Sequence, residues 1–191
     1  MTRKFLIIGS PARCRKITGL LKKEGYTRIS AAHDLQGAQA AARKADPDVI
    51  VLDGQELPEG EPLAIVDRLI SERPAPVVMH YNFAQLSDAV RADGLGVSAH
   101  FFGPLTRENL LGSIELGISR FRQCQTLREE VGDCKEALRV RKIVERAKGI
   151  LMKRNSLNEE EAFLRIQKLS RDSNVSMEKI AQSIITAAEL I

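Results

Sequence analysis

The chain has 191 residues, long for one small domain and suited to two, and its 43% hydrophobic and 28% charged composition is that of a globular protein rather than a disordered or fibrous one. No apolar run approaches the ~20 residues of a membrane span, and the stretch after Met1-Thr2-Arg3-Lys4 is too short for a signal peptide, so a cytoplasmic protein without membrane contact is expected. The net charge of +4 is unevenly placed: Lys plus Arg and Asp plus Glu number 14 and 14 through residue 119, but 15 and 11 beyond it.

From Arg3 to Gly103, short β-branched runs alternate with helical patterns, the signature of a parallel α/β sheet. Strands are expected at Lys4 to Gly9, Arg28 to His33, Asp48 to Asp53, Pro76 to Tyr81 and Ala99 to Gly103. Helices are expected near Ala12 to Glu24, Leu35 to Lys44, Pro62 to Glu72 and Phe83 to Asp93, with a fifth from about Thr106, where Thr106 and Asn109 are too weak a pair to fix the cap. Five strands and five helices match the α/β flavodoxin-like order, with loops converging at the strand C-terminal ends.

Asp53 closes the third strand and Gly103-Pro104 follows the fifth. On these positions residues 1–119 resemble the receiver domain of two-component response regulators, which implies a phosphoacceptor at Asp53. Receivers place an acidic pair after strand one to hold magnesium, where this chain has Gly9-Ser10-Pro11. His80-Tyr81 stands in place of the usual Ser or Thr, and Gly103 in place of the lysine. Phosphoryl transfer depends on positioned charge, so Asp53 alone has little to work with. A pseudo-receiver used for protein contact or dimerisation is the expectation, with phosphorylation control at Asp53 as the alternative.

After Thr106 a helical pattern continues to about Arg154. Ile114, Ile118, Phe121, Cys124, Leu127, Val131, Cys134 and Leu138 keep spacings of three or four, with a strict heptad from Leu127, while Gly112, Gly117 and Gly132 weaken the helix locally. The shorter early steps fit a stammer or a change of packing partner. A coiled coil between two chains over residues 120–138 is expected, the alternative being a helix folded back on its own receiver.

Between Arg139 and Arg154 seven cations stand against one anion. At ~100° per residue, Val140, Ile143, Val144, Ala147, Ile150 and Leu151 form a core face, while Arg139, Lys142, Arg146, Gly149 and Lys153 recur as a basic stripe and Arg141, Glu145, Lys148 and Met152 make a third face. A glycine inside a helix costs roughly 1 kcal/mol against alanine, so Gly149 calls for a reason, such as close approach of a base or a sugar-phosphate backbone. Asn158 and Glu161 form a capping box for a helix whose expected core face is Ala162, Phe163, Ile166 and Leu169, with Arg165, Lys168 and Arg171 outside it. Ser176 caps a last helix with Met177, Ile180, Ala181, Ile184, Ala187, Ala188 and Ile191 at apolar spacing.

Arg141-Lys142-Ile143, Ala147-Lys148-Gly149-Ile150-Leu151-Met152, Glu160-Glu161-Ala162-Phe163 and Lys179-Ile180-Ala181 together resemble the ANTAR domain, the RNA-binding module of transcription antiterminators, over about residues 139–191. A pseudo-receiver, a coiled-coil helix and this all-α three-helix domain are similar to the amidase and nitrate/nitrite-assimilation antiterminators. The resemblance implies binding to paired hairpins in a nascent leader mRNA, which prevents the terminator stem and lets RNA polymerase continue. It carries RNA contact to Arg141, Lys142, Ala147, Lys148, Gly149 and Met152. Charge and face add Arg139, Arg146, Lys153, Arg154, Arg165, Lys168 and Arg171.

A DNA-binding regulator is a second reading, but it needs donors on a late recognition helix, and here that helix offers Lys179 beside Glu178 and Glu189. An enzyme is a third, for which Ser10, Asp53, His80, Tyr81 and His100 provide no phosphate loop, nucleophile elbow or acid cluster. Cys14, Cys124 and Cys134 form no CxxC pair, so no metal and no cofactor are expected. The expected partners are leader mRNA, a second copy of the chain, and a sequestering sensor protein or histidine kinase.

Overall fold

In the computed structural model, which describes residues 3–82 and 86–189, the five apolar runs become strands β1 (Lys4–Ile8), β2 (Arg28–Ala32), β3 (Val49–Asp53), β4 (Val77–Tyr81) and β5 (Ala99–Phe102). All pair in parallel, in the order β2-β1-β3-β4-β5. β3 and β4 are buried along their whole length, as continuous apolar strands covered on both faces must be. Helices α1 (Pro11–Lys23), α2 (Leu35–Ala45), α3 (Glu61–Glu72) and α4 (Leu86–Leu95) connect them. This is the flavodoxin-like arrangement expected from the strand spacing. The expected start of the fourth helix at Phe83 and the apolar Ile191 lie outside the described residues.

Two apolar layers hold the sheet. Ala38 and Ala42 of α2, Leu63, Val66 and Leu69 of α3, and Ala89 and Ala92 of α4 cover one face. Cys14, Ile17 and Leu21 of α1 cover the other, together with Leu110, Ile114 and Ile118 of α5 (Arg107–Asn155). Local capping fixes the helix starts: Ser10 Oγ accepts from the Arg13 amide at 3.4 Å and Asp34 Oδ1 from the Gly37 amide at 2.7 Å. Thr106 proves sufficient as a cap, its Oγ1 accepting from the Asn109 amide at 3.2 Å.

The chain divides into two compact units, residues 1–125 and 126–191, and α5 contributes to both. The early short steps of its apolar pattern reflect a change of packing partner, because Ile114 and Ile118 belong to the sheet's core and not to an interchain seam. Gly117 lies where the helix meets the sheet, and a Cβ there would stand 2.8 Å from Val78 Cγ2 and 3.4 Å from Ala99 Cβ. That glycine weakens the helix in isolation but admits the close approach.

In the second unit, α5 packs with α6 (Glu159–Ser173) and α7 (Met177–Glu189). Val144, Ala147, Ile166, Ala181 and Ile185 form the buried centre, ringed by Val140, Ile143, Ile150, Leu151, Met177, Ile180 and Ile184. The expected core face of α5 is thus present in full. Asn158 and Glu161 make both bonds of the capping box, at 2.8 and 2.9 Å, and Ser176 Oγ accepts from the Lys179 amide at 3.4 Å. Phe163 and Leu169 depart from expectation and are exposed. With Ala162 and Ile166 central on α6, the three-helix core is narrow and these larger neighbours fall to its rim. Ile185, absent from the expected core, is buried, and Ala187 is exposed.

Gly132, in the exposed stretch of α5, has nothing within 4 Å of a built Cβ. Gly132→Ala should therefore raise stability by about 0.5–1 kcal/mol through helix propensity. Gly117→Ala should lower it by about 1 kcal/mol or more, since overpacking against a fully buried valine outweighs the same propensity gain. Urea unfolding of the two variants should shift in opposite directions.

Candidate functional site

The end of β3 brings Asp53 to the strand C-terminal edge, where Gly9 lies so close that a Cβ would be 3.1 Å from the Asp53 carbonyl oxygen. Asp53 and His80 are both 0% exposed. Arg13, in the first turn of α1, donates to Asp53 Oδ2 from Nε at 2.8 Å, with Nη2 at 2.6 Å. His80 Nδ1 sits 2.9 Å from the same oxygen, and Oδ1 accepts from the Gln55 amide at 3.2 Å. Both carboxylate oxygens are thereby occupied.

The cage extends through His80. Its Nε2 donates to the Gly103 carbonyl at 2.8 Å, its ring stacks on Phe101 with centroids 4.2 Å apart, and Arg13 Nη2 lies 2.8 Å from Nδ1. A doubly protonated ring donates to Asp53 as well. A neutral ring keeps the Gly103 bond and accepts from Arg13 at Nδ1. Burial pushes the Asp53 carboxyl up, but hydrogen bonds from His80 and Arg13 outweigh this and hold it below the ordinary carboxylate value.

A magnesium ion does not fit this donor set. It asks for several oxygen ligands in octahedral geometry, and here a guanidinium already covers the Asp53 carboxylate, with Gly9 and Ser10 where further acids would be needed. Glu56 is turned to Ser10 Oγ. The structural arrangement therefore turns Asp53 into the anion of an internal ion pair. Arg13 went unread in the sequence, although a cation three residues beyond Ser10, in a region that lacks its acids, was the available signal. Cys14 is buried beside this cluster, its thiol pushed up to about 11 by burial and then by the Asp53 charge, so it is no nucleophile.

The basic helix of the second unit sorts its cations by what they touch. Arg139 bonds Glu136 and Glu178, Arg146 Nη2 donates to Glu189 at 2.7 Å, and Arg154 Nη2 donates to the Ala188 carbonyl at 2.9 Å. Hydrogen bonds to Glu136 and Glu178 hold the Arg139 guanidinium above its ordinary value. Half of the expected basic stripe thus clasps α7.

Two residues expected to touch RNA are inside the fold. Ala147 is fully buried in the three-helix core, so its side chain is unavailable. Lys148 has a side chain only 8% exposed, with Nζ donating to Glu159 at 2.8 Å and to Glu145 at 2.9 and 3.0 Å. Those bonds, Glu159 foremost, raise its affinity for the proton. Its position beside the α6 start, where Glu159 sits in the first turn, makes it a tie between helices. Identity alone could not distinguish a structural lysine from a contact lysine.

Arg141, Lys142 and Lys153 on α5, and Arg165 and Lys168 on α6, are exposed and make no ion pair among the described residues. Arg171 bonds only the neutral Gln167, at 3.1 Å. Met152 is exposed, and a Cβ on Gly149 would meet nothing within 4 Å. No neighbour within the unit therefore requires the glycine. A separate groove of about 660 Å³ between α5, Phe163 and Met177 is lined by Asp133, Glu136 and Glu145 against Arg141, a net acidic surface that disfavours a polyanion. The face around Lys142, Gly149 and Lys153 combines free positive charge with open backbone.

The ANTAR domain model matches residues 132–185. The transcriptional regulatory protein PdtaR of Mycobacterium tuberculosis is 33% identical over 184 residues, which cover 96% of this chain and 89% of that protein. A nitrate regulatory protein of Klebsiella oxytoca is 34% identical over 68 residues, 36% of this chain and 17% of the relative. Among solved structures, the receiver domain of NtrX from Brucella abortus superposes with a TM-score of 0.54 at 25% identity, covering 61% of this chain and 98% of that domain. The longer NtrX chain aligns over only 30% of its own length. With a relative of this identity spanning nearly the whole chain, and the domain model matching the three-helix unit, this chain belongs to the ANTAR-domain transcriptional regulators that carry an N-terminal receiver domain.

Proposed function

We propose that this protein is an RNA-binding transcription antiterminator that acts as a homodimer in the cytoplasm, holds paired hairpins of a nascent leader mRNA and so prevents the terminator stem. The observation that carries this reading is the pair of uncompensated cations Lys142 and Lys153 on the face that Gly149 leaves open, with Arg141 unpaired on the neighbouring face of the same helix, the first of the ANTAR unit. Sequence-specific RNA recognition targets loops with splayed bases, because the A-form major groove is too narrow for side chains. Phe163 is the unit's sole aromatic residue, so a stacking platform is not available. Contacts through phosphates, a bare helix backbone at Gly149 and the exposed Met152 are the chemistry this face offers.

The receiver domain then works as a platform for protein contact and not as a phosphoacceptor. A phosphoryl group on Asp53 would have to displace both Arg13 and His80 from a fully buried carboxylate. Control by a sequestering sensor protein suits this arrangement better than control by a histidine kinase, and RNA polymerase is affected only through the RNA. No described helix is long and apolar enough to cross a membrane.

The double reversal Lys142→Glu with Lys153→Glu should weaken binding to a two-hairpin leader RNA by about tenfold or more. Circular dichroism should stay native, since neither side chain has an intramolecular partner. Unchanged affinity by fluorescence anisotropy would overturn the RNA assignment. Lys148→Glu should instead lose helical stability together with binding, because it sets three carboxylates against one another.

Incubation with acetyl phosphate and magnesium should leave the intact mass unaltered. A phosphoryl adduct that Asp53→Ala removes would refute the platform reading. Asp53→Asn should destabilise the receiver unit by about 3–5 kcal/mol, the cost of breaking a buried ion pair. The carboxyl is held low in the folded protein, so its stabilising contribution is present above the ordinary carboxylate pKa and fades as pH falls through the folded value. The stability difference between wild type and Asp53→Asn should therefore shrink in acid.

A further inference from the structure

The groove of about 660 Å³ in the three-helix unit has an apolar floor, formed by Ala137, Val140 and Val144 of α5, and apolar walls, formed by Phe163 of α6 and Met177 of α7. Its volume is in the range of pockets that accept a ligand or the anchor side chains of a partner. Phe163, the unit's sole aromatic residue, is 39% exposed. Aromatic side chains and methionine in a partly open apolar cleft are favoured elements of protein recognition. From Asp133 to Glu145 the groove runs ~18 Å along α5, room for a helix of about three turns.

The charge around the groove selects what can lie in it. Asp133 is exposed and has no ion pair among the described residues. Arg139 is shared between Glu136 and Glu178, and Lys148 between Glu145 and Glu159, so each of these cations leaves one carboxylate uncompensated. With Arg141 included, five carboxylates stand against three cations among the lining residues and their ion-pair partners. An apolar floor between acidic margins repels polyanions and acidic surfaces, and it attracts apolar side chains that are flanked by lysine or arginine.

We propose that this groove docks an amphipathic helix of a protein partner, apolar on the face it buries and bordered by lysines or arginines. Apolar side chains one and two turns apart enter the cleft between Phe163 and Met177, and the bordering cations meet Asp133, Glu136 and Glu145. At ~100° per residue, Ala137, Val140 and Val144 lie ~170° around α5 from Lys142, Gly149 and Lys153. They lie ~130° from the exposed stripe of Leu127, Val131 and Leu138, on which the dimeric reading places a second copy. The unit is therefore two-faced, with RNA on one side of its first helix and a basic protein element on the other. The docking needs only the groove and its charge, so it stands or falls apart from RNA binding.

The test uses the full-length protein and two fluorescein-labelled helical peptides of about 14 residues, both with leucines at i, i+3 and i+7, one bordered by lysines and the other by glutamates. At physiological salt the lysine peptide should bind saturably in fluorescence anisotropy and the glutamate peptide should not. Phe163→Ala should weaken the lysine peptide about tenfold or more, as loss of a central aromatic anchor does. Asp133→Lys with Glu136→Lys should reverse the preference and favour the glutamate peptide, an exchange that damage to the fold would not give. Lys142→Glu with Lys153→Glu should not weaken the peptide, and Phe163→Ala should not weaken the two-hairpin leader RNA. Absence of saturable binding, or equal binding by wild type and Phe163→Ala, overturns the docking site. Loss of RNA affinity in Phe163→Ala would assign the groove to RNA, and a lower mass of Phe163→Ala in sedimentation would assign it to a second copy. Either result overturns the protein partner.

Discussion

One helix has to satisfy different neighbours along its length, and much of the molecule follows from that. Near its start α5 presents Leu110, Ile114 and Ile118 to the sheet. Near its end it presents Val144, Ala147 and Ile150 to α6 and α7. Between them lies a stripe with no intrachain cover. A helix cannot keep one apolar face through such a sequence of partners, so its period shifts where the partner does. Gly117 marks the tightest of these contacts, where backbone and sheet approach too closely for a side chain.

The central strands were legible in the sequence because parallel strands covered on both faces must be continuous apolar runs, as β3 and β4 are, while the edge strand β2 carries Arg28 and Ser30 and was legible from its place in the βαβ spacing. The capping box at Asn158 and Glu161 was equally legible, being a local bond pattern set by residue type and spacing. The Asp53 cluster was only half so. The absence of acids after strand one, of a Ser or Thr at the end of strand four and of the lysine could be read directly, but that Arg13 and His80 would fill the space depends on residues 40 and 27 positions from Asp53 meeting at one sheet edge.

The basic helix shows a different limit. Wheel geometry identified the apolar core positions from Val140 through Leu151 but left the buried Lys148 on a surface face, and it could not tell which cations would find carboxylates. Glu178 and Glu189, at the two ends of α7, claim Arg139 and Arg146, and Glu159 claims Lys148, each through tertiary proximity. Phe163 and Leu169 failed for a related reason, since helical spacing identifies a face but not how wide a core its neighbours will cover.

The internal pairing of those cations sets the effective valence that the helix offers to a polyanion. Of the seven cations between Arg139 and Arg154, Arg141, Lys142 and Lys153 are uncommitted and Arg154 bonds a neutral carbonyl, whereas a phosphate reaches Arg139 or Arg146 only by displacing a glutamate. Each phosphate neutralised on duplex nucleic acid releases close to one counterion, which steepens the dependence of affinity on salt by about 0.9 in the logarithm. A helix with four charges unmatched by a carboxylate is therefore less sensitive to ionic strength than its seven cations suggest, so its discrimination among RNAs leans on shape and backbone approach more than on bulk attraction.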